Sequence, residues 1–287
     1  MPLHVPVMLE ASLAALAVRP GGVYLDATFG AGGHTRAIVA AGGRVIAFDR
    51  DRDAAVEPDL ADRVHLVHGN FADLSRALDE LDIAALDGAL FDVGVSSMQL
   101  DVAERGFSFA SDGPLDMRMN RADGSSAYDV LAGSSESELA DIIFRFGEER
   151  AARRIARAIV SARSAGRLPQ RTGELARLVA GVLHVRGKRE RLHPATRTFQ
   201  ALRIAVNDEL GSLERGLDAA IGRTLPGGRI AVITFHSLED RIAKVRFRDD
   251  DRVRPLTKKP LLPGDEELAH NPRSRSAKLR VAERTLC

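Results

Sequence analysis

The sequence predicts an α/β fold in which a Rossmann-like, doubly wound and mostly parallel sheet carries an inserted helical domain. Short apolar runs recur through the first third of the chain, separated by stretches long enough to form helices. A glycine-rich turn links the first run to a helix. The rhythm then stops for roughly a hundred residues before another run appears, which is much longer than an ordinary crossover between parallel strands. The interruption therefore indicates a domain rather than a loop.

Six apolar runs have the length and composition of buried strands. They lie at 23–27, 44–49, 64–68, 88–92, 228–235 and 278–283. The chain between the early runs is long enough for helices, which is the pattern of parallel strands joined by helical crossovers. The last run, 278–283, is expected at an edge of the sheet.

The interrupting segment has the periodicity of helices. Ser135 and Glu138 have the spacing of a capping box, and apolar residues at helical spacing follow them. We therefore expect one domain formed by residues 1–110 and 205–287, with a second, helical domain at 111–204.

Composition restricts the setting in which the protein works. The 287 residues are 45% hydrophobic, which is enough for two cores, and no apolar run is long enough to cross a membrane. Residues 1–10 lack the basic and apolar regions of a secretory leader. The single cysteine, Cys287, cannot form an internal disulfide, and the histidines are scattered. These features predict a cytoplasmic protein with no membrane segment and no bound metal, and they leave the choice between monomer and homodimer open.

Charge is segregated along the chain, although the net charge of the whole is only +1. The segment 145–203 carries 15 basic and 4 acidic side chains, a net charge of +11, so the remainder carries −10. A basic surface of this kind fits nucleic-acid phosphates, and a solvated helix face is the alternative. The candidate nucleic-acid contacts are Arg150, Arg153, Arg154, Arg157, Lys188 and Arg189.

The turn at 26–34 reads Asp-Ala-Thr-Phe-Gly-Ala-Gly-Gly-His. Its glycines allow backbone amides at a helix N-terminus to approach a ligand, and a turn that serves only packing is the alternative. Asp49 ends the next strand, where a carboxylate can accept both ribose hydroxyls of a nucleoside cofactor. The Gly-x-Gly-x-x-Gly spacing of dinucleotide enzymes is missing. Asp26 disfavours a pyrophosphate and suits a ligand with an ammonium or sulfonium group.

The fourth strand ends in Asp92, which opens a loop of small residues where open sheets hold the reacting end of a ligand. A carboxylate there is an unusual choice for packing, although it could cap a helix. Ser96 and Ser97 either orient a bound base or shape the turn. Phe71, just beyond the third strand, either stacks on an adenine or belongs to the core.

Several further runs, together with 26–34, resemble the signature motifs of one enzyme family. They are Asp-Val-Gly-Val-Ser-Ser-Met-Gln-Leu-Asp (92–101), Glu-Arg-Gly-Phe-Ser-Phe (104–109), Gly-Pro-Leu-Asp-Met-Arg-Met (113–119), His-Pro-Ala-Thr-Arg-Thr-Phe-Gln-Ala-Leu-Arg (193–203), Phe-His-Ser-Leu-Glu-Asp-Arg (235–241) and Asn-Pro-Arg-Ser-Arg-Ser (271–276). Over nearly its whole length the chain resembles the bacterial small-subunit ribosomal RNA cytosine-N4 methyltransferase family.

The resemblance implies a class I methyltransferase fold, S-adenosylmethionine as cofactor, and a target cytosine in the decoding centre of 16S ribosomal RNA in the small ribosomal subunit. It implies a cofactor site formed by Gly32, Gly33, His34, Asp49, Phe71, Asp92 and Gln99. Asp92 is also the candidate acceptor for the reacting amine, and Asp116 is a weaker catalytic candidate. Between Arg246 and the Asn-Pro-Arg run at 271–273 the chain is shorter than family members often are. The family's RNA contacts in this segment therefore do not carry over to this chain.

Two other functions fit parts of the sequence. A DNA amino-methyltransferase shares the fold and chemistry but usually has a Pro-Pro-aromatic loop where this chain has Val-Gly-Val after Asp92. A non-catalytic RNA-binding protein with a relic nucleoside pocket would be expected to have lost Asp49 or the glycines, which are all present. Methylation at C5 of a pyrimidine needs a cysteine nucleophile, and Cys287 at the end of the sequence is a poor candidate. Transfer to an exocyclic nitrogen needs no such residue.

Overall fold

The computed structural model describes residues 6–95, 97–183 and 193–286. The chain divides into two compact units. The sheet unit comprises the residues up to Gly94 together with those from Leu210 onward, and the helical unit comprises Val95–Glu209. The assignment of residues 111–204 to a separate RNA-recognition domain remains a prediction.

Within the described residues the sheet unit is built on seven strands. In chain order they are β1 (Val23–Asp26), β2 (Arg44–Asp49), β3 (Val64–His68), β4 (Leu86–Asp92), β5 (Thr224–Thr234), β6 (Val253–Pro255) and β7 (Lys278–Arg284). Their order in the sheet is β3-β2-β1-β4-β5-β7-β6. The strands β1 to β5 pair in parallel, whereas β7 is antiparallel to both of its neighbours. The predicted mostly parallel sheet is confirmed.

The run predicted at a sheet edge, 278–283, lies inside the sheet instead. On one side Leu279 of β7 pairs with Ile233 of β5, and on the other Arg284 pairs with Val253 of β6. The edge position was wrong because β6 has only three residues, too few to show a period in the sequence.

Twelve α-helices accompany the strands in the described parts of the chain. They are α1 (Leu9–Leu16), α2 (Gly33–Ala40), α3 (Leu74–Glu80), α4 (Ser97–Asp101), α5 (Ala127–Gly133), α6 (Glu136–Gly147), α7 (Ala152–Ser164), α8 (Thr172–Leu183), α9 (Thr196–Asn207), α10 (Glu209–Arg223), α11 (Ser237–Asp249) and α12 (Asp265–His270). None of these helices is both long and apolar enough to cross a membrane.

Successive residues of the central strands pack on opposite faces of the sheet. On β4, Ala89 and Phe91 belong to one apolar cluster and Leu90 belongs to the other. On β2, Phe48 and Ala47 alternate in the same way. Both faces are therefore buried, as a parallel sheet covered by helices on both sides requires.

The helical unit has a core of its own. The Ser135 hydroxyl accepts a hydrogen bond from the Glu138 amide at 3.2 Å, and Glu138 Oε2 accepts one from the Ser135 amide at 2.7 Å. This reciprocal pair is the predicted capping box, and it begins α6. Ile143, Ile155 and Val179, on three successive helices, are fully buried in one cluster.

Candidate active site and nucleic-acid interface

Three aspartates end neighbouring strands of the sheet. Asp26 ends β1, Asp49 ends β2 and Asp92 ends β4, and β1 lies between the other two strands. Because parallel strands share one carboxyl edge, the three carboxylates come to the same edge of the sheet, which is where open α/β sheets bind ligands.

The turn between β1 and α2 depends on glycine. Gly30 and Gly32 have φ angles of +54° and +74°, in the left-handed region that residues with side chains rarely adopt. A Cβ on Gly33 would lie 2.2 Å from Cγ of Pro6, so a side chain there would push the N-terminal segment away. The turn thus leads tightly into α2, and the first amides of that helix have no acceptors within it.

Asp26 braces this turn from inside. It is fully buried; Oδ1 accepts a hydrogen bond from the Thr28 amide at 3.2 Å and Oδ2 accepts one from the Thr35 hydroxyl at 2.6 Å. The carboxylate that opens the motif therefore fixes the backbone of the turn to the first turn of α2.

Asp49 ties the end of β2 to the same turn. Its Oδ2 accepts from the Gly30 amide and its Oδ1 from the Asp51 amide, each at 2.8 Å. Burial raises the pKa of Asp49 above its ordinary value, and the hydrogen bonds from Asp51 and Gly30 oppose that shift. Each carboxylate oxygen can accept a second hydrogen bond, so Asp49 keeps the capacity to bind two hydroxyl groups.

Phe71 follows β3 and lies partly buried against the sheet. Its ring meets that of Phe91 edge to face, with centroids 5.5 Å apart. A Cβ on Gly216 of α10 would lie 2.5 Å from the ring of Phe71. One side of the ring is therefore packed in the core, and stacking of the ring on an adenine remains a prediction.

Asp92 lies at the end of β4 beside His34. Its Oδ2 is 3.7 Å from Nδ1 of His34, and its backbone amide donates to the Thr28 hydroxyl at 2.9 Å. Its Oδ1 is buried and has no hydrogen-bond partner among the described residues. Burial raises the pKa of Asp92 to about 8, and neighbouring carboxylates strengthen the shift. Those carboxylates are Asp26, Glu239 and Glu267.

Two predicted site residues, Gln99 and Asp116, belong to the helical unit. Gln99 is buried within α4. Arg118 donates to both oxygens of Asp116, at 2.6 and 3.1 Å, and Nε of Arg121 is 3.4 Å from Oδ2. Burial alone would raise the pKa of Asp116, but the hydrogen bonds from Arg118 outweigh it and the pKa is lowered. These arginine contacts favour a structural role for Asp116, and its catalytic role stays the weaker prediction.

Four of the candidate nucleic-acid contacts form an arginine row on the exposed side of α7 and just before it. Arg150, Arg153, Arg154 and Arg157 are exposed, whereas Ile155 is fully buried. Arg154 donates to the Val182 carbonyl at 2.5 Å, and Arg157 lies 3.5 Å from Glu136. Arg150 and Arg153 have no hydrogen bond or ion pair with any described residue.

Four residues that the sequence analysis discussed lie outside the described residues. They are Ser96, Lys188, Arg189 and Cys287.

The N-terminal segment and α12 also contribute to this site, which the sequence did not predict. The Val7 carbonyl oxygen lies 3.1 Å from Nε2 of His34, and Glu267 Oε1 accepts a hydrogen bond from the Met8 amide at 2.5 Å. Both contacts join distant parts of the chain and involve a backbone group. Neither the spacing nor the identity of these residues gave a signal that could have found them.

Comparisons with known proteins agree over the full length. A sequence model of the MraW methylase family matches residues 1–285. Curated relatives that match nearly the whole chain bear the name Ribosomal RNA small subunit methyltransferase H, and two of them serve as examples. The relative from Paramagnetospirillum magneticum is 50% identical over 308 residues, covering 98% of this chain and 96% of the relative. The relative from Geobacter sulfurreducens is 51% identical over 308 residues, covering 98% of each chain.

Among solved structures, an rRNA methylase from Streptococcus thermophilus covers 99% of both chains at 12% identity and a TM-score of 0.45, a likeness too loose to carry weight. The curated relatives cover 98% of the chain, and the family model spans the segment that contains the three strand-end aspartates. The chain therefore belongs to the MraW methylase family.

Proposed function

We propose that this methyltransferase transfers a methyl group from S-adenosylmethionine to the exocyclic N4 amine of a cytosine in the decoding centre of 16S ribosomal RNA. The name of the relatives supports small-subunit ribosomal RNA as the substrate. The observation that carries the choice of an amine is Asp92, whose buried Oδ1 has no partner among the described residues. A buried acceptor without a donor is costly, and an N–H group of the substrate would satisfy it.

The residues at the carboxyl edge of the sheet fit the cofactor. S-adenosylmethionine supplies an electrophilic methyl group when it is bound. Asp49 would accept the two ribose hydroxyls, and the first amides of α2, next to Gly32 and Gly33, would receive the carboxylate of the methionine end. Phe71, His34, Asp92 and Gln99 complete the proposed cofactor set.

Asp92 would act on the target amine. The nitrogen lone pair of a cytosine amine is delocalised into the ring, so the base must leave its stack and be held with the nitrogen in line with the methyl group. A hydrogen bond from the amine to Oδ1 would orient the nitrogen in this way. The amine becomes acidic once it is methylated and cationic, so water suffices to take its proton.

The helical domain, 111–204, would recognise the RNA. Its exposed arginines supply phosphate contacts, whereas the remainder of the chain has a net negative charge. The proposed contacts are Arg150, Arg153, Arg154, Arg157, Lys188 and Arg189. A ribosomal substrate places the enzyme in the cytoplasm with the small subunit as its partner.

The test is the identity of the methylated nucleoside. Purified protein, methyl-labelled S-adenosylmethionine and unmethylated small subunits are incubated, and the digested RNA is separated chromatographically before mass spectrometry, because N4- and C5-methylcytidine have the same mass. We expect N4-methylcytidine from the wild type and from Cys287→Ser, and a loss of about 100- to 1,000-fold in turnover for Asp92→Ala. Formation of 5-methylcytidine, or dependence on Cys287, contradicts the proposal. Label in DNA instead points to a DNA amino-methyltransferase, and RNA binding without transfer points to a non-catalytic protein.

A further inference from the structure

An open cleft of about 520 Å³ lies on the surface of the helical unit, where α7 is joined to α8. Part of its lining comes from the connection between the two helices, residues 165–171, and the rest from the first two turns of α8. Its volume is in the range of sites that bind small organic groups. None of the RNA contacts proposed above lines this cleft.

Two arginines that line the cleft have no partner. The side chains of Arg167 and Arg177 are exposed and make no hydrogen bond or ion pair with any described residue. The neighbouring Arg171 differs, because it donates to Oδ2 of Asp112 at 2.6 Å and to the Asp112 carbonyl at 3.0 Å. The fold therefore uses the guanidinium group of Arg171, and those of Arg167 and Arg177 remain available to an anionic ligand.

A carboxylate in the same lining argues against a simple anion as the ligand. Glu174 Oε2 accepts hydrogen bonds from the Gln170 and Arg171 amides, at 2.8 and 3.3 Å, so the position of this side chain is fixed. A bare phosphate or sulfate ion would be repelled by its negative charge. The amino group of a nucleobase would instead find an acceptor, as cytosine N4 does in glutamate.

The rest of the lining suits the ring of a nucleobase. Pro169 is buried, and Leu168 and Leu178 are half-buried against the core of the helical unit. These apolar groups offer contact area to a flat ring, and guanidinium groups stack on the faces of bases. The exposed amide of Gln170 can both donate to and accept from the edge of a base.

Hydrogen bonds to another segment hold the connection between α7 and α8 in place. The Leu115 amide donates to the Gln170 carbonyl at 3.0 Å, and the Thr172 amide donates to the Gly113 carbonyl at 2.8 Å. A Cβ on Gly113 would lie 1.7 Å from the Ala103 carbonyl oxygen, so only glycine fits at this position. The cleft is therefore preformed, and a ligand does not have to order its backbone on binding.

We propose that this cleft binds one unpaired nucleotide of the RNA substrate: Arg167 and Arg177 contact its phosphates, and Glu174 accepts a hydrogen bond from an amino group of its base. The nucleotide is unpaired because a duplex hides the faces and edges of its bases. A base with an exocyclic amine is preferred over uracil, which has none. The inference rests on the proposed function, because it takes RNA as the substrate of the helical domain.

The cleft adds a second point of contact to the arginine row. Arg150 and Arg153 lie at the beginning of α7, and the cleft lies beyond the end of this helix. A helix of 13 residues is about 20 Å long, so the two sites are separated by several nucleotides of RNA. Contacts at both sites would fix the register of the RNA on the helical domain, which the phosphate contacts of the row alone do not.

The test measures binding of RNA strands to the full-length protein by fluorescence anisotropy, without cofactor. The probes are labelled single strands of one length, made of cytidine, of uridine or of abasic ribose phosphate. Arg167→Gln with Arg177→Gln removes both charges and keeps most of each side chain. We expect the Kd for the cytidine strand to rise about 10-fold for each arginine, and the slope of log K against log salt to fall by about 0.7 for each phosphate released.

A second variant tests the contact with the base. The wild type should bind the cytidine strand about 3- to 10-fold more tightly than the uridine strand, and Glu174→Gln should reduce this preference. The matched control, Arg44→Gln with Arg63→Gln at exposed positions of the sheet unit, should leave affinity and preference unchanged. Circular dichroism checks that each variant is folded.

Three results overturn the inference. The first is a cleft double variant that binds RNA as the control pair does. The second is equal binding of the cytidine and abasic strands, which shows a phosphate contact only. The third is a wild type that binds none of the strands, or that releases them to an equal concentration of polyglutamate, which indicates an acidic protein as the ligand. The proposed function fails separately, through a wild-type enzyme that forms no N4-methylcytidine on small subunits.

Discussion

Asp49 and Asp92 occupy equivalent places at the ends of β2 and β4, yet their hydrogen bonding differs. Both oxygens of Asp49 accept backbone amides, whereas Oδ1 of Asp92 accepts no hydrogen bond from the described residues. The Gly30 amide of the glycine turn donates a hydrogen bond to Asp49. No described residue donates a hydrogen bond to Oδ1 of Asp92. The carboxylate of Asp49 is therefore anchored by the protein itself, whereas Oδ1 of Asp92 is the oxygen proposed to accept a hydrogen bond from the target amine.

Replacing Asp49 tests the cofactor assignment. In Asp49→Ala we expect binding of S-adenosylmethionine to weaken by about 1–3 kcal/mol, because a charged hydrogen-bond acceptor for the ribose is removed. The affinity of Asp49→Asn, which keeps one side-chain oxygen, should lie between that of Asp49→Ala and that of the wild type. Isothermal titration calorimetry measures both, with exposed Asp53→Ala as the control. If the affinity of Asp49→Ala is unchanged, Asp49 does not bind the ribose and the cofactor assignment is wrong.

The raised pKa of Asp92 also predicts how stability depends on pH. A carboxyl group whose pKa is raised on folding stabilises the folded state fully below its unfolded pKa, and that contribution is lost as the pH rises through the folded value of about 8. Asparagine does not ionise, so Asp92→Asn does not lose stability as the pH rises. We therefore expect the Tm of the cofactor-free variant, relative to wild type, to increase between pH 4 and pH 9, by about 2–4 °C for each kcal/mol gained. Thermal melts followed by circular dichroism measure it, with Asp53→Asn as the control. A Tm difference that does not change with pH would show that Asp92 ionises freely.

At the scale of elements, α7 shows what periodicity can and cannot predict. The spacing of its apolar residues predicts a buried side with Ile155 and an opposite side with arginines, and the structure has both. The spacing does not show that Arg154 contacts the Val182 carbonyl or that Arg157 lies near Glu136. Those contacts come from α8 and α6, and they leave Arg150 and Arg153 as the arginines of the row with no partner among the described residues.

Charge reversal on α7 tests the RNA surface. We expect Arg150→Glu with Arg153→Glu to weaken RNA binding and to reduce the slope of log K against log salt by about one unit for each phosphate that the protein no longer neutralises. Cofactor affinity should not change. Reversal of Arg154 and Arg157 as well should extend the effect, and circular dichroism checks that the helix survives without the bonds of these two arginines. The control is the same reversal at exposed Arg44 and Arg63 of the sheet unit. Equal effects from both pairs would point to overall charge rather than to a platform on α7.

At the scale of the whole molecule, the sequence predicted the parts of the fold that have a local signal. The bounds expected for β2 and β3 are those observed. β2 contains a continuous run of buried apolar residues, as a parallel strand in the interior of a sheet does. β3 lies at the edge of the sheet, and two of its five residues are histidines. The three-residue β6 and the interior place of β7 have no such signal, since pairing partners are chosen by contacts between distant segments. Asp49 and Asp92 could be found from their positions at strand ends. Gln99 was reached through resemblance alone, and the contact of His34 with Val7 could not be found from sequence.

The pairing of β4 with β5 has a consequence for how the molecule reaches its structure. Leu90 pairs with Ala231, and the entire helical unit lies between them in the chain. Closing so long a loop costs entropy before the strand contacts offset it, whereas the helices of the inserted unit form mainly local contacts. During refolding the inserted helices should therefore gain protection from hydrogen exchange before the centre of the sheet does. Until β5 arrives, β4 is an open apolar edge, so the slow step in folding is also the step most exposed to aggregation.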